Sequence, residues 1–79
     1  MTNKQLLLKQ IKDIYSNDNI INKFDNYCQI FATTPLINDW CKGYAYCKLK
    51  FMKEEYGANY INSEYIYDEV LELIDFLEV

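Results

Sequence analysis

Seventy-nine residues at a net charge of −4, with a hydrophobic share of 51%, describe one small folded domain rather than a disordered segment. The chain has no His and no Arg, and all eight of its cations are Lys. That excludes the usual general base at neutral pH, imidazole metal ligation and the bidentate fork for phosphate.

Thr2 and Gln5 form a Thr-x-x-Gln capping box, and it predicts a first helix over about residues 3–15. Leu7, Leu8, Ile11, Ile14 and Tyr15 take its inner side, and Lys4, Lys9, Lys12 and Asp13 its outer side. Ser16-Asn17-Asp18-Asn19 has turn chemistry and offers a cap to the next helix. The second helix is expected over 19–32, because Ile20, Ile21, Phe24, Tyr27, Cys28 and Phe31 recur at spacings of three and four.

A third, longest helix is expected over 35–56. Thr34-Pro35 reads as its start and Gly57 as its stop. Leu36, Ile37, Trp40, Tyr44, Cys47 and Phe51 fall in one stripe and predict its buried face. On this reading Trp40→Ala costs roughly 3–5 kcal/mol, Leu49 lies on the outer face, and Gly43 permits a close helix approach. The alternation of Ala45, Cys47, Leu49 and Phe51 with Tyr46, Lys48 and Lys50 is the rival reading, a strand. After a short loop, Asn62 or Ser63 caps a fourth helix over 63–78, with Ile66, Val70, Leu73 and Leu77 as one stripe and Tyr67, Leu71 and Ile74 beside it. The expected fold is therefore all-α: one domain over 1–79, a small bundle of four helices around the long third.

Cys28, Cys41 and Cys47 are odd in number and include no C-x-x-C pair. With no signal peptide in view, a reducing cytoplasm is the expected setting. Cys28 and Cys47 lie on apolar stripes and read as small buried hydrophobes. No apolar run approaches the ~18 residues needed to span a membrane.

Charge is distributed unevenly. Residues 1–57 hold all eight Lys and six acids, whereas the remainder holds six acids and no Lys. Glu64, Asp68, Glu72 and Asp75 line one face of the fourth helix, with Glu69 beside them. This face reads as solvated, as paired with lysines of the first or third helix, or as docked on a partner with a basic surface. Tyr60 and Tyr65 stand near its start and suit interface anchors. Lys42, Tyr46, Lys50 and Lys53 form a weaker constellation of single-strand nucleic-acid type, opposed by the net negative charge. Direct nucleic-acid binding is accordingly disfavoured.

No phosphate-binding glycine loop, no nucleophile–His pair and no EF-hand spacing is present. The expectation is a non-enzyme with no catalytic residues, no cofactor and no metal. In size, acidity and lack of catalytic equipment the chain is similar in character to phage- or plasmid-encoded inhibitors of host nucleic-acid enzymes, anti-restriction and anti-CRISPR proteins among them. That comparison of character brings no site with it. A small acidic protein-binding regulator or inhibitor, in effect a nucleic-acid mimic, is the reading that follows. A structural or regulatory subunit acting as a homodimer is the alternative, and a weak single-stranded nucleic-acid binder stands third.

Overall fold

Local capping chemistry sets where each helix begins. In the computed structural model, which describes residues 1–57 and 63–77, the hydroxyl of Thr2 accepts the Gln5 N–H at 3.1 Å. The Gln5 side chain accepts the Thr2 N–H at 2.9 Å. This capping box starts α1 (Asn3–Ser16). Asn17 ends it: its N–H donates to the Ile14 carbonyl and its side-chain oxygen accepts the Asn19 N–H.

α2 (Lys23–Thr33) begins later than the apolar spacing predicts. Its cap is Asn22, which accepts the Asp25 N–H at 3.0 Å and donates to the Asp25 carboxylate at 2.8 Å. Ile20 and Ile21 therefore lie outside the helix, and Ile21 is exposed. Thr34-Pro35 is likewise no helix start. Thr34 caps the end of α2 through its N–H to the Ile30 carbonyl, and its hydroxyl accepts the Leu36 N–H. The chain then turns, and Asn38 caps α3 (Asp39–Tyr56) by accepting the Cys41 N–H at 2.8 Å. Gly57 stops α3 at the expected position, but at φ 70° and ψ −177° it takes an extended positive-φ conformation open to glycine almost alone rather than the left-handed helical cap. Ser63 caps α4 (Glu64–Phe76) by accepting the Ile66 N–H.

The four helices form a small all-α bundle, with no strand among the described residues. The rival strand reading of 44–52 is thus set aside. α2 packs on α1 and on α3, and α1 packs on α4. Tyr15 near the end of α1 stacks on Tyr67 near the start of α4, at 4.0 Å between centroids and 10° between planes. Lys4 near the start of α1 pairs with Asp75 near the end of α4. The two helices therefore run antiparallel. One core takes Leu7 and Ile11 of α1, Phe24, Tyr27 and Phe31 of α2, and Ile66, Val70, Leu73 and Ile74 of α4.

The register of α3 departs from expectation. Its buried residues are Cys41, Ala45, Leu49 and Met52. Trp40, placed at the centre of the buried stripe by its spacing, is 67% exposed, and Leu49, placed outside, is fully buried. Cys47 is exposed, while Cys41 takes the buried role. The physical reason is that α3 carries two neighbouring apolar stripes, one aromatic and one small or aliphatic. The small residues Cys41 and Ala45 let α3 settle close to its neighbours; bulky rings at those positions would hold it away. Gly43 is not a point of close approach, since a Cβ built there meets nothing within 4 Å.

Candidate interaction surface

Turning the small stripe inward leaves the aromatic stripe outside. Trp40, Tyr44, Cys47 and Phe51 follow one another at spacings of four, three and four along one side of α3. The Trp40 ring stacks on Tyr44 at 5.6 Å and 15°. Tyr44 in turn stacks on Phe76 of α4 at 5.0 Å and 22°. Phe51 and Phe76 are more than half exposed. Trp40, Tyr44 and Phe76 thus form a stacked row across two helices, Phe51 continues the same side of α3 two turns beyond Tyr44, and Trp40, Phe51 and Phe76 face solvent.

A cleft of about 310 Å³ runs beside this row, lined by Tyr44, Lys48, Glu69, Glu72, Leu73 and Phe76. Leu73 belongs to the core, while Glu69 and Glu72 bring carboxylates to the cleft. The Lys48 ammonium lies over the Phe51 ring, 6.0 Å from its centroid.

The acidic residues singled out by spacing divide into two groups. Glu64, Asp68 and Asp75 project from the outer side of α4, and Glu69 and Glu72 flank the aromatic row. Asp75 is paired: its carboxylate lies 2.5 Å from Lys4 Nζ. This is the single ion pair of α4 among the described residues. Pairing with the first helix thus accounts for one acid of the face. Tyr65 is about half exposed; its hydroxyl shares a hydrogen bond of 3.2 Å with Tyr56 at the end of α3. That bond, with Glu69 nearby, pushes the Tyr65 phenol up to about 12. Tyr60 lies outside the described residues.

Lys50, Lys53 and Tyr46 line a separate groove of about 460 Å³ with Phe24, Asp25, Cys28 and Glu54. Two carboxylates therefore stand among its two ammonium groups. Burial, with Asp25 adding to it, pushes the Cys28 thiol up to about 11, so it stays protonated and unreactive at neutral pH.

The aromatic row is what sequence reasoning missed. Its residues were legible as one stripe, and the error lay in which way the stripe points. A signal was present in the second stripe of Cys41, Ala45, Leu49 and Met52, whose smaller side chains suit the centre of a bundle. Among the described residues, no helix is long and apolar enough to cross a membrane. Comparison with known protein families, with curated proteins and with solved structures finds no match.

Proposed function

We propose that this chain is a small, non-catalytic, protein-binding regulator or inhibitor that docks through α4 on a basic surface of its partner. A nucleic-acid-acting enzyme is the kind of partner meant, with the carboxylates standing where phosphates would lie. The observation that carries the reading is that Glu69 and Glu72 of α4 flank the exposed aromatic row of Trp40, Phe51 and Phe76, with the exposed Glu64 and Asp68 on the outer side of the same helix. Acids steer the encounter and the rings supply contact area, the usual division of labour in a protein interface. A charge-bearing face that served solubility alone would have no use for an aromatic row at its edge. The row also supports a second reading, a homodimer, in which a second copy covers it.

The test uses immobilised wild-type chain and a Glu64→Gln, Asp68→Asn, Glu72→Gln variant as baits in lysate of the native host. A protein held by the wild type, released by salt and by random-sequence duplex DNA, and not held by the variant is the expected result. Equal retention by both baits would overturn the docking role of α4.

A further inference from the structure

Resting on the reading that the partner is basic, we infer that the aromatic row of α3 seats an amphipathic helix of that partner, apolar on one side and carrying Lys or Arg along the edge that lies next to α4. The spacing of four, three and four from Trp40 through Tyr44 and Cys47 to Phe51 is that of the a and d positions of a helix pair. A helix laid along α3 would set its own apolar side chains between these residues, with Phe76 closing one flank. Cys47 is the smallest member and leaves a hollow midway along the row.

Charge selects the occupant. The ionisable groups that flank the row are Glu69 and Glu72 from α4 and Lys48, Lys50, Glu54 and Glu55 from α3 itself. Four carboxylates thus stand against two ammonium groups, and the side next to α4 carries Glu69, Glu72 and Glu55 against Lys48. Farther out, Glu64 and Asp68 extend the negative field along α4. A second copy fits less well. An antiparallel two-fold pair through α3 would set Trp40 of one copy against Phe51 of the other, a fair match in size. The same two-fold axis keeps both α4 helices on one side of the interface, so Glu69 and Glu72 of the two copies would crowd together. A basic helix removes that repulsion and turns it into attraction.

Trp40 is the sole tryptophan and lies in the row, so its emission reports occupancy directly. The experiment titrates the full chain with three synthetic peptides of about three heptads each. One has Leu at a and d with Lys flanks, one has the same Leu pattern with Glu flanks, and one is a scramble of the Lys peptide. The Lys-flanked helix is expected to blue-shift Trp40 emission, to bind less well as salt rises, and to lose about tenfold in affinity on Phe51→Ser and on the Glu69→Gln, Glu72→Gln pair. Phe51 and both acids have solvent-facing surface, so circular dichroism should show these variants folded. Equal binding of the scramble would overturn the helix seat and leave the basic-partner reading standing. Equal binding of the Glu-flanked helix would overturn the charge argument and the basic partner with it. Binding of no peptide, or a Cys47–Cys47 disulfide formed by a dimer on mild oxidation, would overturn the seat for a partner helix.

Discussion

Leu49 and Trp40 stand on opposite sides of α3, nine residues and half a rotation apart, and Leu49 is the one in the core. Leu49→Ala should therefore cost roughly 2–5 kcal/mol, and Trp40→Ala only about 0.5–1.5 kcal/mol, the scale of its exposed stack on Tyr44. Urea unfolding of the two variants measures both. A Trp40→Ala chain that loses stability as Leu49→Ala does would place the rings inside instead.

The two glycines predict opposite signs. Gly43 is exposed within α3, and a Cβ there meets nothing within 4 Å. Gly43→Ala should stabilise by about 0.4–1 kcal/mol, because Ala loses less backbone freedom on folding. Gly57 sits at φ 70° and ψ −177°, a region open to glycine almost alone, so Gly57→Ala should destabilise by roughly 1–3 kcal/mol. Thermal midpoints that move in the same direction for both would contradict the capping assignment.

Alkaline pH should weaken the fold. Burial pushes the Tyr27 phenol from its ordinary 10.0 up to about 12, and the Cys28 thiol from 9.0 to about 11. In the unfolded chain both groups ionise near their ordinary values. Above about pH 9 the unfolded state has therefore shed protons that the folded state still holds, and stability falls as pH rises. Their contribution is complete below that point and lost as pH passes through the raised values. A melting midpoint that stays level from neutral pH to about 11 would refute this, and Cys28→Ala should flatten the decline.

The three thiols should separate by rate. Cys47 is exposed, Cys28 half-buried and held protonated, and Cys41 buried, with its sulfur 4.0 Å from the Leu77 carbonyl oxygen. A disulfide exchange reagent at neutral pH should modify Cys47 first, Cys28 slowly and Cys41 only as the bundle opens. Mass mapping of the first adduct to Cys41 would contradict the register of α3.

The Lys4–Asp75 pair is solvent-facing on both sides, so Asp75→Asn should cost less than about 1 kcal/mol and less still in high salt. A larger loss would mean that α4's acids brace the fold rather than stand ready for a partner. Denaturant midpoints at two ionic strengths decide between these roles.

Signals confined to a few neighbouring residues were legible. Thr2 with Gln5, Ser63 before Glu64, and Gly57 each act within one helical turn, so their meaning survives without the rest of the chain. Asn22 was harder, because Asn17 and Asn19 offer the same chemistry a few residues earlier and only packing chooses among them. The face of α3 was harder again. Apolar residues cover more than half its circumference, and periodicity alone ranks the aromatic stripe above the small one. Choosing between them needs the space left by α1, α2 and α4. The same choice decides what is surface, so the aromatic row could not be seen until the core had been placed.

The pairing of α1 with α4 has a kinetic consequence. α1 on α2 and α2 on α3 join neighbours along the chain, whereas α1 on α4 joins its two outermost helices. Nearest-neighbour helices collapse quickly, and the closing contact carries the largest loop entropy. The stack of Tyr15 on Tyr67 is therefore expected to form late, on the native side of the barrier. Removing it with Tyr67→Ala should speed unfolding and leave the refolding rate nearly unchanged. In hydrogen exchange, the amides facing this closure should open ahead of those between α2 and α3, so the bundle would come apart where its first and last helices meet.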